Sequence, residues 1–266
     1  DRDPRLAQSI RTPGYTRIGQ TQTLAPDLSA SITGYQLTKY LATPDMDATG
    51  KSCTAMPIFR LAEVMLNLAE AKAELGTLTQ EDIDKTVNKL RARVGMSGKL
   101  ELTQANARPD DFLARTFFHN VSGSNAGVIL EIRRERGIEL LQEGFRWNDM
   151  MRWKDGSAFL RANNGQTMPF KGMYFPGAGT YDLDGDGNDD VCIYSGSKPA
   201  KGDIVYKQLG KDVILENGTS GCMLINSDKV KKWNESRDYL MPIPVQDRRL
   251  NKSLTQNPGW DDGLDY

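Results

Sequence analysis

Cysteine and histidine are scarce in this chain, which has three cysteines and one histidine among 266 residues. None of the cysteines has the Cys-x-x-Cys spacing of a redox or zinc site, and one histidine cannot build a histidine-rich metal site. Cys192 and Cys222 could form a disulfide across a loop region, but three free, mostly buried thiols are the interpretation we favour. We expect His119, which follows Phe117 and Phe118, to have a structural role.

The sequence also lacks a strong net charge and a long apolar run. The formal net charge is −1, so there is no electrostatic basis for nucleic-acid binding. No apolar run approaches the length that spans a membrane. With 38% hydrophobic and 26% charged residues, the composition is typical of a folded globular protein of one or two domains.

Catalytic motifs are missing as well. The sequence contains no glycine-rich phosphate-binding loop, no Ser/His/Asp arrangement and no zinc-ligand spacing. The lack of a catalytic arrangement counts against an enzyme.

The first strong helical pattern lies at residues 57–76. Pro57 suits the first turn of a helix, and Gly76 suits the position after its last turn. The apolar residues between them recur at helical spacing and include alanines, which allow a neighbouring helix to pack closely.

A second helix is predicted over about 80–94. Thr79 is a good N-cap, and Asp82 stands three residues later, where it can complete the cap. The two helices, joined by a short turn, form an antiparallel hairpin of tetratricopeptide-like length. A connector over 97–125 follows, with a short helix near 109–119.

Residues 126–154 form the stretch around which the chain is organised. A helix that begins near Val128 and ends near Trp153 has apolar residues on two sides, which indicates a helix buried between other elements. Charged residues interrupt both apolar sides, and buried charges require hydrogen-bonded partners. We therefore expect a core helix whose arginines and glutamates are paired. The charges concerned are Arg134, Arg136, Glu139 and Glu143.

Two further features of this helix need interpretation. Gly137 costs about 1 kcal/mol relative to alanine in mid-helix, so we expect another part of the protein to press close to its backbone. The carboxylates of Glu135, Glu139 and Glu143 stand at helical spacing and could act in acid/base catalysis. The neighbouring arginines would hold these carboxylates ionised, so a structural, ion-paired helix is the favoured interpretation.

The other segments have no long helical pattern. Residues 1–56 are rich in Thr, Ser, Pro and Gly and predict an ordered loop region with a short strand at 33–41. Residues 155–236 predict an irregular, loop-rich layer laid over the helical scaffold, with short strands at 190–194 and 212–216.

The closing segment, 237–266, is predicted to be mostly extended. Residues 246–251 predict one helical turn, and the Asn-Pro-Gly turn before Trp260 would bury the indole ring. Residues 57–154 form the predicted helical scaffold. We also expect Trp147 and Trp153, at the end of its central helix, to lie in the core.

The sharpest chemical motif is Asp-Leu-Asp-Gly-Asp-Gly-Asn-Asp-Asp at residues 182–190. Alternate carboxylates followed by a glycine for a sharp turn are typical of short loops that surround calcium with oxygen ligands. No flanking helices are predicted, so a solvated acidic turn is the alternative. We expect a structural calcium ion. Its expected ligands are the carboxylates of Asp182, Asp184, Asp186 and Asp190 and the backbone carbonyl of Asn188.

Three segments resemble one known family. The run EIRRERGIELLQEGFRWNDMMRW (131–153) is similar to the most characteristic stretch of the SusD/RagB family. FRLAEVMLNLAEAKAELG (59–76) resembles the family's tetratricopeptide-like helix, and YLMPIPVQDRRLNKSLTQNPGW (239–260) resembles its closing segment. The opening DRDPRL (1–6) also recurs in the family. The three motifs stand in the correct order and cover most of the chain.

The resemblance implies a fold and a function. The fold would be mainly α, with tetratricopeptide-like helical hairpins packed under an irregular, loop-rich layer with short strands. Members of the family are nutrient-binding lipoproteins on the outer face of the outer membrane of Gram-negative bacteria. The implied function is non-enzymatic: capture of a glycan for a SusC-like, TonB-dependent transporter.

The resemblance also implies that residues 1–266 are the C-terminal part of a SusD-like protein. The family's lipid-anchored N-terminal cysteine and further helical repeats would then lie in an N-terminal half outside this chain, and that half would pack against it as a partner. Family members place binding aromatic residues on loops before the hairpin helix. This placement predicts that at least one of Tyr15, Tyr35 and Tyr40 contacts the glycan, although no motif fixes which of them does.

Other functions stay open at this point. Some members of the family bind peptides in place of glycans, as RagB-like proteins do. A helical-repeat adaptor for protein partners is another possibility, although it does not explain the long loop layer. A glycoside hydrolase would need two suitably placed carboxyl groups, and no catalytic arrangement of that kind is apparent.

Overall fold

The computed structural model describes residues 2–160, 169–199 and 202–266. Asp1 and two parts of the predicted loop layer, 161–168 and 200–201, lie outside the described residues. A 3-10 turn covers Pro44–Met46. The α-helices are α1 (Arg5–Ser9), α2 (Leu61–Glu74), α3 (Gln80–Lys85), α4 (Val87–Arg93), α5 (Leu102–Ala107), α6 (Asp111–Thr116), α7 (Ala126–Glu139), α8 (Phe145–Arg152), α9 (Ser157–Leu160) and α10 (Val245–Leu250).

The helical core lies between α2 and α7. Both helices contribute fully buried apolar side chains, and α4 and α5 pack against the same centre. Ala69 and Ala73 are buried on α2, where their small side chains let α7 approach closely. The predicted mainly α scaffold is confirmed.

Short strands form two small sheets in the layer that follows the helices. The strands are β1 (Phe170–Phe175), β2 (Gly179–Tyr181), β3 (Val191–Tyr194), β4 (Val205–Gln208) and β5 (Gly221–Ile225). β1 pairs antiparallel with β5, while β3 pairs antiparallel with β2 and parallel with β4. Their inner faces form a second apolar core around Phe175, Ile193 and Leu215.

The strand predictions were partly wrong. The pattern at 190–194 is confirmed by β3, but 212–216 contains only isolated bridges, at Val213 and Leu215. The predicted strand at 33–41 is reduced to one bridge between Leu37 and Ile10. These segments have a strand-like composition, but their backbone is irregular and forms only isolated bridges.

The first hairpin helix begins later than predicted. Arg60 has extended backbone angles of φ −143° and ψ 152°, so α2 begins at Leu61 and Pro57 lies outside it. A proline is compatible with extended backbone as well as with a first helical turn, which explains the error.

The second hairpin helix is divided in two. Thr86, with φ −117° and ψ −92°, separates α3 from α4. The predicted cap is confirmed, because the Thr79 side chain accepts a hydrogen bond from the N–H of Asp82 and the Asp82 carboxylate accepts one from the N–H of Thr79. The short helix predicted near 109–119 is α6, whereas α5 was not predicted.

The central helix is also interrupted. It ends at Glu139, and α8 starts only after Gln142 and Gly144, whose φ angles are 64° and 83°. Trp153 is buried as expected, but Trp147 is 42% exposed and the prediction of a core position was wrong.

The expectation for Gly137 was wrong. A Cβ atom built on Gly137 would have no atom of the described residues within 4 Å, apart from its chain neighbours and the backbone of its own helix. The close approach occurs instead at Gly127, where a Cβ would lie 1.8 Å from the carbonyl oxygen of Ala105. Gly127 is therefore the glycine that lets α5 pack on α7.

The remaining structural predictions have mixed outcomes. The turn predicted at 246–251 corresponds to α10, and Trp260 is half-buried, with its indole N–H donating to the carbonyl of Leu240 at 2.8 Å. All three cysteines are free thiols, of which Cys192 is buried and Cys53 is exposed.

Candidate functional site

A network of buried charges surrounds α7. Arg5 Nη1 lies 2.6 Å from Glu135 Oε1 and 2.9 Å from Glu139 Oε2. Arg91 Nε donates to the other oxygen of Glu135 at 2.8 Å. On the far side of the helix, Arg136 Nε lies 2.6 Å from the carboxylate of Asp149. The predicted pairing of charges along the central helix is thus confirmed.

The same network continues into the loop region. Arg60 donates to Glu139 at 2.7 Å and to Glu143 at 2.6 Å, and Lys39 Nζ lies 2.5 Å from Glu143. Burial alone would raise the pKa of both glutamates, but the hydrogen bonds from Arg60 and its neighbours outweigh burial and lower each pKa below its ordinary value. Glu139 and Glu143 are therefore ionised at neutral pH.

A polar cleft of about 260 Å³ lies over this network. Tyr40 stands in its wall with a positive φ of 69°, and Lys39 Nζ is 5.5 Å from the centre of the tyrosine ring. Burial, followed by the charge of Glu143, raises the pKa of Tyr40, so its hydroxyl keeps its proton. The polar cleft is lined by Arg5, Gln8, Ser9, Lys39, Tyr40, Pro57, Arg60, Arg93, Ile138, Glu139 and Glu143.

The other two predicted tyrosines do not line the polar cleft. Tyr15 is half-buried, with the Arg11 guanidinium 5.7 Å from its ring centre. Tyr35 is exposed and follows Gly34, which lies against the side chain of Met173 in β1. The structure therefore places Tyr40 in the cleft and leaves Tyr15 and Tyr35 at separate places on the surface.

Three of the predicted calcium ligands lie together in the acidic loop, residues 182–190. One carboxylate oxygen from each of Asp182, Asp184 and Asp190 lies within 4.8 Å of the others. The side chain of Asp186 instead accepts hydrogen bonds from the N–H and the amide group of Asn188. Three oxygen donors at this spacing fit a hard divalent cation, and the other ligands would be carbonyls or water.

The electrostatics of the acidic loop differ between its members. Hydrogen bonds from the N–H groups of Gly187 and Gly185 lower the pKa of Asp182. Burial, with the charges of Asp184 and Asp182, raises the pKa of Asp190. The repulsion at Asp190 is the kind that a bound cation would remove.

A second concave site was not foreseen. This aromatic cavity, of about 680 Å³, lies between α6, α7 and α8. Three phenylalanines of the α6 region, Phe112, Phe117 and Phe118, face Phe145 and Trp147 across it. The break between α7 and α8, which opens this space, could not be inferred from helical periodicity.

The face of α2 opposite the core is an apolar stripe. Its members are separated by helical spacing and are each about half or more exposed. Two further apolar residues, Ile58 and Phe59, extend the stripe before the helix and are more than 80% exposed. The α2 stripe consists of Leu61, Val64, Leu68 and Leu75.

Comparison with known proteins identifies the family to which the chain belongs. The SusD family model matches residues 1–260, and the chain therefore belongs to the SusD family. The fold is similar to that of a SusD-like protein from Bacteroides fragilis NCTC 9343, with a TM-score of 0.57 and 23% sequence identity over 97% of this chain. No curated protein matches the chain.

A second solved structure is similar over a shorter part. It is a SusD-like carbohydrate binding protein from the same organism, with 27% sequence identity and a TM-score of 0.49 over 67% of this chain. The chain covers 39% of the length of the first structure and 33% of the second. No helix in the described ranges has the length and apolarity needed to cross a bilayer.

Proposed function

We propose that this chain is the C-terminal part of a cell-surface protein that captures oligosaccharide or polysaccharide for uptake across the outer membrane. Membership of the SusD family over residues 1–260 is the observation that carries this proposal. The related carbohydrate binding protein from Bacteroides fragilis supports a glycan as the class of ligand.

The polar cleft offers suitable chemistry for one part of a sugar chain. The ring of Tyr40 presents an apolar surface to the C–H face of a sugar, and the side chains of Gln8 and Arg93 offer donors to its hydroxyl groups. Tyr15 and Tyr35 would contact other units of the same glycan, because they stand outside the cleft.

The cleft is a binding site and not a hydrolytic one in this proposal. Glycoside hydrolysis needs one carboxyl group that is protonated near neutral pH, which requires a raised pKa. Glu139 and Glu143 have lowered pKa values because Arg60 and its neighbours hold them ionised. Neither glutamate can serve as the general acid.

The proposed location is the outer face of the outer membrane, with a lipid anchor on an N-terminal cysteine outside this chain. The proposed partner is a SusC-like transporter. The α2 stripe would be covered by the N-terminal half of the same protein, because a row of exposed apolar residues this long is typical of an interface.

The acidic loop is the proposed calcium site, with Asp182, Asp184 and Asp190 as carboxylate ligands. Asp186 and Asn188 would join the ligand set if the ion draws in their oxygens. The ion would have a structural role, because the loop contacts the turn that carries Tyr15: Gly14 donates its N–H to the carbonyl of Asp184 at 2.7 Å.

Arrays of glycans and peptides on the complete protein test the class of ligand directly. We expect glycan binding; binding to peptides alone would overturn the proposal in favour of a RagB-like function. With a glycan found, Tyr40→Ala is compared with Tyr266→Ala, a change of a surface tyrosine at the C-terminus. We expect the first to weaken binding and the second to leave it unchanged.

A further inference from the structure

The aromatic cavity has the dimensions and walls of a small-molecule site. Its volume of about 680 Å³ falls inside the range of about 300–1,000 Å³ that is usual for ligand pockets. Aromatic and aliphatic side chains form most of its lining, so it suits an apolar ring or chain and does not suit a hydrophilic sugar. It is therefore separate in chemistry from the polar cleft.

The charges around the cavity are unbalanced. Among the described lining residues, four arginines are accompanied by one carboxylate, that of Asp149. The oxygens of Asp149 already accept hydrogen bonds from Arg136 at 2.6 Å and from Arg152 at 2.9 Å. Asp149 is therefore occupied, while Arg133 and Arg134 form ion pairs with carboxylates outside the lining.

Among the described residues that line the cavity, Arg146 is the arginine without an ion-pair partner. No carboxylate of the described residues lies within 4 Å of it, and its guanidinium instead stands 5.3 Å from the ring centre of Phe118 and 5.8 Å from that of Trp153. The Arg146 side chain is exposed on one side, yet the protein around its guanidinium desolvates it and lowers its pKa. Its donors are free to meet an anion.

Arg133 adds one unused donor, its Nε, while both of its terminal nitrogens already donate hydrogen bonds. Its side chain is 7% exposed, and its Nε is a buried donor without a hydrogen-bond partner among the described residues. The guanidinium lies 4.5 Å from the ring centre of Trp153. A buried, incompletely bonded guanidinium is energetically unfavourable unless an anion approaches.

Gly137 is a further indication that the aromatic cavity has room for a ligand. It lines the cavity in the middle of α7, and no described residue outside this helix comes close enough to explain the absence of a side chain. A mid-helix glycine costs about 1 kcal/mol relative to alanine. The glycine lowers the wall of the cavity at this position and leaves room for an occupant against the helix backbone.

We propose that the aromatic cavity binds a small organic anion, a carboxylate carried on an apolar ring or chain, with its carboxylate at Arg146 and its apolar body beside Gly137. Arginine pairs with a carboxylate through two parallel hydrogen bonds, which fixes the orientation of the ligand. The surrounding rings provide the apolar contact for the body of the ligand. This site is additional to the glycan site and does not depend on it.

The probe is 4-phenylbutyrate, measured by isothermal titration calorimetry with the complete protein. Its neutral analogue 4-phenylbutanamide has nearly the same shape and lacks the charge. We expect the carboxylate to bind roughly tenfold more tightly than the amide, the difference expected for hydrogen bonds to a charged group. Equal affinities, or no binding of either compound, would overturn the proposal.

Two variants locate the binding. Arg146→Gln removes the unpaired charge, and we expect a roughly tenfold loss of affinity for the carboxylate with no change for the amide. Arg115→Gln is the matched control, since Arg115 is an exposed arginine on the neighbouring helix α6 that does not line the cavity. A loss of the same size in both variants would show that the anion binds by general charge alone.

Gly137→Leu fills the cavity from the helix side. Leucine is a better helix former than glycine and has open space at this position, so we expect an unchanged or raised melting temperature together with loss of binding. Normal binding to a folded Gly137→Leu protein would place the ligand elsewhere. Dimerisation of the wild type that this variant abolishes would assign the cavity to a second copy of the chain, against our proposal.

Discussion

Arg5 and Glu135 form a buried ion pair across 130 residues of sequence, with 2.6 Å between Nη1 and Oε1. Arg5 lies on α1 near the start of the described chain, and Glu135 lies in the middle of α7. Asp3 holds the same guanidinium from the other side, with its Oδ2 at 2.6 Å from Nη2. The first helix is therefore attached to the central helix by a buried ion pair.

Arg5→Ala is expected to destabilise the protein by about 3–5 kcal/mol, because it leaves the buried carboxylates of Glu135 and Glu139 with fewer partners. The measurement is chemical denaturation at neutral pH. Arg115→Ala serves as the control, and this exposed arginine is expected to change stability by less than about 0.5 kcal/mol. Similar midpoints for the two variants would mean that Arg5 is solvated.

The charge of Asp155 is expected to destabilise the folded protein at neutral pH, whereas that of Arg5 stabilises it. Its side chain is 2% exposed, neither carboxylate oxygen has a hydrogen-bond partner among the described residues, and His119 Nδ1 is 3.7 Å away. Burial raises the pKa of Asp155, against the charges of His119 and Arg133. Because the folded pKa exceeds the unfolded one, stability is lost as pH rises through the folded pKa and is fully present below the ordinary value.

Asp155→Asn keeps the shape of the side chain and removes its charge. We therefore expect this variant to melt at a higher temperature than the wild type at pH 7, and expect the difference to disappear at about pH 3. Asp111→Asn, at an exposed position, should match the wild type at both pH values. A less stable Asp155→Asn at pH 7 would show that the carboxylate is held by its cationic neighbours.

Calcium is expected to raise the melting temperature through the acidic loop. At a calcium concentration a hundredfold above its Kd, the free energy of unfolding would rise by about 2.7 kcal/mol. The short loop joins strands β2 and β3 and has no helical frame on either side, so the Kd should be on the order of 10⁻⁴ to 10⁻³ M. The measurement compares melting in calcium with melting in excess chelator.

Two variants of the acidic loop separate binding from general charge. Asp184→Ala removes a buried member of the carboxylate group, and the calcium-dependent increment should vanish. Asp189→Ala removes an exposed acid of the same loop outside that group and should keep the increment. If chelator leaves the wild type unchanged, the loop is an acidic turn.

The α2 stripe is expected to make the isolated chain self-associate. Leu61 and Leu68 are exposed apolar residues two turns apart on one helix face. Changing both to lysine should reduce association in analytical ultracentrifugation and keep the helix, because lysine is a good helix former. Leu250→Lys, at an exposed position on α10, is the control; a monomeric, cooperatively unfolding wild type would contradict the expectation.

Helix periodicity predicted the burial of α7, where Ile132 is buried, but it predicted the core face of α2 only in part. Leu61 and Leu68 have the apolar spacing of a buried face, and the structure exposes both. The ends of the helices and the break between α7 and α8 were harder to predict from the sequence. Glycine readily adopts a positive φ, so the conformation of Gly144 is expected, but the residue type of Gln142 does not predict its φ of 64°.

The candidate sites depended on contacts that the sequence does not contain. The polar cleft exists because Lys39 meets Glu143, 104 residues later, and Arg60 meets the same carboxylate. The acidic loop, by contrast, was visible as a motif because its carboxylates lie within nine residues of one another. Local spacing therefore identified the acidic motif, while the placement of Tyr40 required the folded chain.

The hydrogen bond from Gly14 to the carbonyl of Asp184 has a consequence for energetics. It joins the turn before Tyr15 to the acidic loop, so an ion that orders one also reduces the conformational freedom left to the other. Coupling of this kind is reciprocal: if the ion tightens binding of a ligand at Tyr15 by some factor, the ligand tightens binding of the ion by the same factor. Ligand affinity at Tyr15 would then report the calcium level of the surrounding medium.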